Sequence, residues 1–249
     1  MLASTIVYSG LTLAFVGLIC LVKPIRWLRI PTRPRALKIA ALGVVMAGVV
    51  FALPVSESRI ERVETRLDEF APVWQFNEFH TIRIAAPPPR VYAAIKRVKA
   101  DEILLFRTLT WIRRGGRPLP PSVLNAAGRE SLLDLATRTS FIWLADEPPR
   151  EMVVGTVIVA PPGTRGTLTP QVFQKPLPPG FVLATMNFVV TPDANNASIV
   201  STETRVFANS PSTRRGFAVY WRLIYPGSAI IRRMWLRAVE RRATGPDGT

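Results

Sequence analysis

The stretch from Trp74 to Val98, WQFNEFHTIRIAAPPPRVYAAIKRV, contains the signals that decide the fold of this chain. Its first part, Trp74 to Ile84, alternates and is rich in β-forming residues, which predicts a strand with one covered face. Pro87-Pro88-Pro89 ends that strand. Because proline is tolerated in a first helical turn, the prolines also begin a predicted helix over Arg90 to Val98. Together with the antiparallel hairpins and the C-terminal helix predicted below, this strand and helix predict a domain of the α+β class.

The residues that follow predict mostly antiparallel strands. A second short helix is expected around Asp101 to Thr110, and a loop with Gly115-Gly116 and Pro118 to Pro121 comes after it. Two hairpins are then predicted, with strands at Phe141 to Ala145, Glu151 to Ala160, Phe181 to Thr191 and Ser198 to Ala208. The long loop between the hairpins, residues 161–180, is rich in Pro and Gly, and such a loop usually covers something or is mobile.

The last predicted element is a helix from about Ser212 to Arg242, interrupted near Pro226-Gly227. Helical spacing gives it one apolar, aromatic stripe and an opposite cationic face. The stripe consists of Phe217, Trp221, Ile224, Ser228, Ile231, Trp235 and Ala238. This stripe is expected to pack against a sheet as a core helix, or alternatively to form one wall of a ligand cavity.

Two apolar segments precede the α+β domain. Residues 2–22, LASTIVYSGLTLAFVGLICLV, contain no charged side chain over about the length that crosses a hydrocarbon core, roughly 20 residues. A second run, Ile39 to Val55, is near the lower limit of about 17 residues. Residues 23–38 between them carry six Lys and Arg. The two segments are therefore predicted to form a transmembrane helical hairpin with a basic loop.

Each apolar segment has an alternative explanation. A cleaved signal peptide is disfavoured for residues 2–22, because no basic region precedes the run and no small-residue cleavage site follows it. The second run could be a buried core helix, or could lie in the membrane interface. Since Lys and Arg in short loops prefer the cytoplasm, the basic loop predicts an integral protein of the cell membrane with an extracytoplasmic domain. An interfacial second segment or a misassigned start would instead place the domain in the cytoplasm.

The segment between the hairpin and the domain is predicted as an amphipathic connector helix. In Ser58 to Phe70, SRIERVETRLDEF, Ser58 and Glu61 have capping-box spacing and apolar residues recur at helical intervals. A lipid-sensing helix is the alternative. The predicted division of the chain is two transmembrane helices in 1–56, the connector in 57–72, the α+β domain in 73–244 and a disordered tail in 245–249.

Charge and composition limit the partners and the chemistry. The chain has 32 Lys and Arg, 17 Asp and Glu and a net charge of +15, which would attract phosphodiesters or an anionic membrane surface. Because no helix-turn-helix, RNP or Cys/His finger pattern occurs, membrane lipids are predicted as partners and nucleic acid is not. Cys20 and His80 are the only cysteine and histidine, so no metal or cofactor is predicted. The sequence identifies no protein partner.

Three segments carry a resemblance to a known superfamily: HTIRIAAPPPRVYAAI at 80–95, STETRVF at 201–207 and FAVYWRLIYPGSAIIRRMWLRAVERRA at 217–243. With the order of elements over residues 74–243, they resemble the helix-grip fold of the START-like or SRPBCC superfamily, which includes polyketide cyclases and lipid-transfer domains. The last two segments look like an uncharacterised membrane-anchored branch. The resemblance implies a curved antiparallel sheet wrapped around the long C-terminal helix, with a mostly apolar pocket between them.

The resemblance also implies which residues would line that pocket and what the pocket would hold. The implied ligand-binding residues are Phe181, Leu183, Met186, Glu203, Arg205, Phe217, Trp221, Ile224 and Trp235. The loop of residues 161–180 would lie at the mouth. The implied function is a membrane-tethered binding module for a lipid or another hydrophobic small molecule.

Few residues are candidates for catalysis, and they are Glu78, His80, Glu203 and Arg205. Glu203 and Arg205 are two apart on a predicted strand, so they share a face and could pair with each other or orient a polar head group. The chain shows no triad, metal, phosphate-loop or dinucleotide spacing, so a binding module is favoured and no catalytic residue is assigned. The alternatives are a cyclase- or dehydratase-like enzyme that uses polar groups in the same cavity, and an interaction module with a filled core.

Overall fold

The computed structural model describes residues 2–246 except 26, 28, 29, 127, 129 and 165. Of the predicted disordered tail, only residues 245 and 246 fall within this range, and 247–249 lie outside the described residues. The chain forms two compact units. The hairpin unit comprises the residues up to Val55 together with Arg215–Pro226, and the sheet unit comprises Ser56–Arg214 together with the residues from Gly227 onward.

In the hairpin unit, α1 (Leu2–Val22) and α2 (Arg33–Ala52) run in opposite directions and pack closely. Small residues make this approach possible, since a Cβ added to Gly17 would come within 2.5 Å of the backbone nitrogen of Ala40. The buried positions are Ser4, Val7, Gly10, Ala14, Gly17 and Cys20 on α1, and Ala36, Ala40, Gly43, Ala47 and Val50 on α2. Contacts between small residues are typical of helices that associate within a membrane.

The large apolar side chains of the helix pair point outward. Phe15 is 64% exposed and Val44 is 62% exposed. By length and composition, Ser4–Val22 and Arg33–Ala52 are candidate membrane spans. A helix pair that buries its small residues and exposes its large apolar ones has the opposite pattern to a water-soluble core.

The sheet unit contains the predicted α+β elements. Their bounds are β1 (Ser58–Arg59), α3 (Arg66–Phe70), β2 (Val73–Trp74), β3 (Phe76–Ile84), α4 (Pro88–Arg97), α5 (Phe106–Arg113), α6 (Leu132–Thr139), β4 (Ile142–Glu147), β5 (Glu151–Val159), β6 (Val182–Asp193) and β7 (Ala197–Ala208). A 34-residue helix, α7 (Pro211–Thr244), follows β7. The two predicted hairpins are confirmed as β4–β5 and β6–β7.

Five strands form one antiparallel sheet in the order β3-β7-β6-β5-β4. Side chains alternate between its two faces. The inner face carries Met186, Phe188 and Val190, which join one core cluster with Trp235 and Leu236 of α7. The outer face carries the intervening residues of β6, and Val153 of β5 there packs with Leu67 and Phe173. The inner face is therefore covered by α7, and the outer face is covered in part, since Phe79 and Ile199 there are 55% and 42% exposed.

The connector differs from its prediction. Ser58 and Arg59 form β1, which pairs with β2, and the backbone nitrogen of Ile60 donates to Pro72 O at 3.0 Å. Only the last turn is helical, and its capping box joins Thr65 to Asp68 instead of Ser58 to Glu61. The predicted single helix over 58–70 was wrong. The backbone of the first residues forms its hydrogen bonds with β2, and the capping box of Thr65 and Asp68 starts a shorter helix.

Two helices also differ from the sequence prediction. α6 has no predicted counterpart, although Ser131 caps it by accepting a hydrogen bond from Asp134 N at 3.1 Å. The predicted interruption of the final helix near Pro226-Gly227 was wrong, since α7 continues through Pro226. A proline removes one backbone hydrogen bond from a helix interior, and the packed turns on either side can offset that loss.

Candidate ligand-binding site

A cavity of about 480 Å³ lies on the outer face of the sheet. It is bounded by the sheet, by the segment after α3 and by the loop that precedes β6. Its lining consists of Phe70, Ala71, Pro72, Val73, Phe173, Gln174, Lys175, Pro176, Leu177, Leu183, Thr185, Arg205, Phe207 and Asn209. Most of these side chains are apolar, and the volume is within the range of small-molecule sites, about 300–1,000 Å³. We call this space the outer cavity.

Buried hydrogen bonds hold α3 against the outer face at one side of the cavity. The carboxylate of Glu151, which is 1% exposed, accepts hydrogen bonds from Arg66 N at 2.8 Å and Leu67 N at 3.2 Å. It also accepts one from Asn187 Nδ2 at 2.8 Å. Since the first amides of a helix lack partners within the helix, this carboxylate satisfies two of them and fixes the start of α3 on the sheet.

Asn209 holds the loop at the other side. Its Oδ1 accepts hydrogen bonds from Gly180 N at 2.9 Å and Phe181 N at 2.8 Å. Its Nδ2 donates to Leu177 O at 3.2 Å and Pro178 O at 2.7 Å. One side chain therefore closes four hydrogen bonds around the end of the 161–180 loop, so that Leu177 stays on the cavity lining.

Arg205 is the buried charge on this lining. Its Nη1 donates to Asp68 Oδ1 at 2.7 Å, and its Nε donates to Glu203 Oε1 at 2.8 Å. Burial alone would lower the pKa of Arg205, but Glu203 and Asp68 outweigh it and raise that pKa. The guanidinium also lies over the Trp74 ring, 4.1 Å from its centroid. The predicted pairing of Glu203 with Arg205 is present, with Asp68 as a further partner that the sequence did not reveal.

A second cavity, of about 510 Å³, lies beside the end of α6 and the starts of β4 and of the 161–180 loop. Phe181 and Leu177 contribute to it, but Thr137, Arg138, Ser140 and Thr156 make its lining more polar. The 161–180 loop borders both cavities. The outer cavity is the better match to an apolar ligand because its lining is dominated by hydrophobic side chains.

The inner face contains a buried polar cluster in addition to the apolar core. His80 Nε2 and Glu78 Oε1 are 2.9 Å apart, and Ser228 Oγ donates to Glu78 Oε2 at 2.7 Å. On the next turn of α7, Arg232 Nη2 donates to Thr204 Oγ1 at 3.0 Å. Burial lowers the pKa of Arg232, and the nearby Glu78 carboxylate opposes that effect. We call these residues the inner polar cluster.

The predicted pocket residues fall in several parts of the described structure. Leu183 and Arg205 line the outer cavity, Glu203 pairs with Arg205 beside it, and Phe181 lines the second cavity. Met186 and Trp235 lie in the core between the sheet and α7, whereas Phe217, Trp221 and Ile224 belong to the hairpin unit. A lining formed by all nine residues stays a prediction, and the two cavities described here are located under the 161–180 loop.

Sequence reasoning missed several residues that shape these sites. Asn209 acts through contacts with residues far away in the chain, so no local pattern indicates it. Asp68 has capping-box spacing with Thr65, but its pairing with Arg205 is a distant contact that this spacing does not indicate. Arg232 had a usable signal, because it follows Ser228 by four residues and therefore shares its side of α7. The outer cavity depends on how the 161–180 loop folds back onto the sheet. The hydrophobic periodicities of helices and strands do not predict the path of a loop.

Comparisons with known proteins find solved structures of low similarity and no family. Scans of family models and of curated proteins find no match. Among solved structures, protein MLL2253 from Mesorhizobium loti is 15% identical with a TM-score of 0.33, over 67% of this chain and 95% of that chain. CalU16 from Micromonospora echinospora is 14% identical with a TM-score of 0.26, over 76% and 92%. Zhui aromatase/cyclase from Streptomyces sp. R1128 is 13% identical with a TM-score of 0.27, over 70% and 99%.

These neighbours include aromatase/cyclase-like structures of the helix-grip type, at low identity. The coarse fold, an α+β unit with a five-stranded antiparallel sheet and a long C-terminal helix, is confirmed by the chain itself. Membership of a membrane-anchored branch stays a prediction.

Proposed function

We propose that this protein is a membrane-tethered binding module of the helix-grip type that takes up a hydrophobic small molecule. The observation that carries the proposal is the outer cavity, an apolar space of about 480 Å³ on the sheet. A cavity with this lining favours a molecule whose own surface is mostly apolar, because binding removes apolar area of both partners from water. The bilayer would supply such molecules.

The tether is proposed to be the pair α1 and α2. Its support is the outward orientation of large apolar side chains such as Phe15 and Val44, combined with an interface of small residues. In water these exposed side chains would be an aggregation hazard, whereas acyl chains would solvate them. We propose that both helices span the membrane and that the basic loop of residues 23–38 lies in the cytoplasm.

The binding proposal is tested by filling the outer cavity. Leu183→Trp adds volume on the lining, and Thr191→Trp places the same residue on the same strand and face outside the cavity. The full-length protein and both variants are purified in detergent and their co-purifying lipids are measured by mass spectrometry. We expect one apolar class to co-purify with the wild type and Thr191→Trp, and to fall about tenfold in Leu183→Trp. Equal recovery from all three proteins would contradict the proposal.

The inner polar cluster favours a second candidate function, an enzyme of the cyclase or dehydratase type. Glu78 would accept the Nε2 proton of His80, which leaves Nδ1 as a base that can remove a proton from a substrate. Arg232 would stabilise negative charge that develops on a substrate oxygen. His80→Gln and Arg232→Met would then abolish turnover of a bound substrate while the substrate still binds. If ligand recovered from the membrane is chemically unchanged by the protein, this function is ruled out for that ligand.

A further inference from the structure

The charges beside the outer cavity limit which hydrophobic molecules it accepts. The buried guanidinium of Arg205 donates to both oxygens of Glu203, to Asp68 Oδ1 and to Ala71 O, with N–O distances between 2.7 and 3.1 Å. Four hydrogen bonds use most of the five N–H donors of an arginine. Arg205 is thus committed to protein acceptors, and little remains for the acidic group of a ligand.

Behind the lining, the buried charge around Arg205 is negative, and its two carboxylate partners are not lining residues themselves. Two carboxylates, Asp68 and Glu203, surround one guanidinium, and the side chains of Asp68 and Arg205 are 6% and 9% exposed. Burial would raise the pKa of Asp68, but hydrogen bonds from Glu64 N, Arg205 and Thr65 together lower it, so this carboxylate is charged at neutral pH. Lys175 is the other cation of the lining, and it is exposed to solvent, where water and salt weaken its effect.

We infer that the outer cavity selects uncharged apolar molecules and disfavours fatty acids and other lipids with an anionic group. This inference rests on the proposed function, since it names the ligand class of the same cavity. A ligand carboxylate that entered the cavity would lose water, would find the Arg205 guanidinium already bonded, and would lie near the excess negative charge of Asp68 and Glu203 behind the lining. A hydroxyl loses much less hydration free energy than a carboxylate and meets no charge repulsion, and a hydrocarbon end loses none.

Dodecanol and dodecanoate test the inference, because they share a chain and differ in charge. Radiolabelled forms of each are equilibrated with the full-length protein in nanodiscs near pH 7.5, and the signal of the Leu183→Trp variant is subtracted as membrane background. We expect dodecanol to bind at least about tenfold more tightly than dodecanoate. Dodecanoate binding as tightly as dodecanol would overturn the inference and leave the binding function intact. Binding of neither molecule above background would overturn the proposed function as well.

A variant that removes one charge gives a second test of the inference. Glu203→Gln keeps the shape of the side chain and removes the excess negative charge, so dodecanoate affinity should rise about tenfold while dodecanol affinity stays constant. Asp193→Asn is the matched control, because Asp193 also pairs with an arginine, Arg83, on the same sheet, and it lies at the end of β6 that is far from the lining residues Leu183 and Thr185. An unchanged ratio of the two affinities in Glu203→Gln would contradict the electrostatic explanation.

A different observation supports a second inference, on the hairpin unit. Residues Arg215–Pro226 of α7 belong to this unit, where Tyr8 Oη donates to Leu223 O. Arg222 Nη2 donates to Leu53 O at 3.0 Å and its Nη1 to Phe51 O at 3.3 Å. These carbonyls end α2, where a helix has unsatisfied acceptors and favours a cation. The α7 segment is therefore tied to the ends of both candidate spans.

We infer that this α7 segment is a third membrane-contacting element, with lipid as its partner. The candidate span begins at Ser4, and Tyr8 lies four residues, or about 6 Å, further along the helix. Leu223, whose carbonyl oxygen accepts from Tyr8, would therefore lie within the depth of that span and not outside its first residue. Val219 and Leu223 are one turn apart on one face and are 40% and 38% exposed. Arg215, one turn before Val219, is exposed as well and could reach lipid phosphates.

Fluorescence depth measurement tests the second inference. On a Cys20→Ala background, single cysteines at Val219, Leu223 and Arg215 are labelled with an environment-sensitive dye in proteoliposomes that contain lipids with a quencher on the acyl chain. We expect a blue-shifted emission and strong quenching at 219 and 223, and weaker quenching at 215. A water-like emission at 219 and 223, in protein that resists alkaline extraction from the membrane, would overturn the inference. Release of the protein by that extraction would overturn the tether itself.

Discussion

Asp68 illustrates how one side chain organises the connector. Its Oδ2 accepts hydrogen bonds from Glu64 N and Thr65 N, at 2.9 and 2.7 Å, and its Oδ1 pairs with Arg205. Asp68→Asn removes one of the two carboxylates that pair with Arg205, and Glu203 still compensates the guanidinium. Because the charge-assisted hydrogen bonds of Asp68 are weakened, we expect the free energy of unfolding to fall by about 1–3 kcal/mol near neutral pH. Denaturant titration of the full-length protein in detergent, followed by tryptophan fluorescence, measures this difference.

The same contribution should depend on pH in a defined direction. The folded-state pKa of Asp68 is lowered below that of the unfolded chain, about 3.9. Its stabilisation is therefore fully present above the unfolded-state pKa and is lost as the pH falls through the folded-state pKa. The stability difference between the wild type and Asp68→Asn should shrink below about pH 4. A difference that stays constant down to about pH 2 would show that the ion pair is not its source.

Asn209 holds the end of the 161–180 loop, and its contribution can be measured by substitution. In Asn209→Ala, the amides of Gly180 and Phe181 lose their acceptor, at a cost of about 1–3 kcal/mol for unsatisfied groups. We expect hydrogen exchange of the peptide that covers residues 177–182 to accelerate about tenfold or more. Asn209→Asp retains the acceptor oxygen and should keep the exchange of these two amides near the wild-type rate. Equal acceleration in both variants would assign the loop position to other contacts.

At the scale of elements, the α1–α2 pair offers a matched comparison between two glycines. A Cβ on Gly17 would lie 2.5 Å from Ala40 N, whereas a Cβ on Gly48 would meet nothing within 4 Å. Gly17→Leu should therefore destabilise the helix pair by about 1–3 kcal/mol through overpacking, and Gly48→Leu should be neutral or slightly stabilising. Unfolding by denaturing detergent gives both values. Equal effects of the two substitutions would mean that the helices do not pack through this face.

The sequence predicts some elements better than others, because some depend on local periodicity and others on pairing with distant residues. β6 and β7 alternate and are joined by a short turn, so local periodicity is enough to predict them. The connector has two competing cap signals, and pairing of β1 with β2 decides between them. α6 is short, but Ser131 and Asp134 have the capping spacing that could have revealed it.

At the scale of the whole molecule, the basic loop predicts the sidedness of the membrane protein. On a Cys20→Ala background, one cysteine replaces Lys23 and another, in a separate protein, replaces Thr167 of the 161–180 loop. A membrane-impermeant maleimide added to intact cells should label position 167, and position 23 should react only after the membrane is opened. Labelling of both positions from the same side would contradict a helical hairpin that spans the membrane.

The two hairpins, the terminal helix and the apolar helix pair could be predicted from the sequence, because they depend on local periodicity and composition. The location of the cavities could not. Leu183 and Met186 were expected in one pocket, but an odd spacing on a strand places them on opposite faces of the sheet. Phe217 and Trp221 share the helical stripe of Trp235, yet they belong to another unit. The face or unit to which a residue belongs depends on tertiary packing, and the periodicity of a single sequence does not predict that packing.

The ring of Phe173, from the 161–180 loop, fills the space beside Gly155 of β5 where a side chain would otherwise lie. A Cβ on Gly155 would come within 2.6 Å of Phe173 Cζ and 2.7 Å of Leu144 Cδ1, so the ring occupies the space of the missing side chain. A larger residue at 155 is then compatible only with a smaller one at 173. In a library randomised at both positions and selected for ligand retention, the surviving pairs should conserve their summed volume, with gains at one site matched by losses at the other.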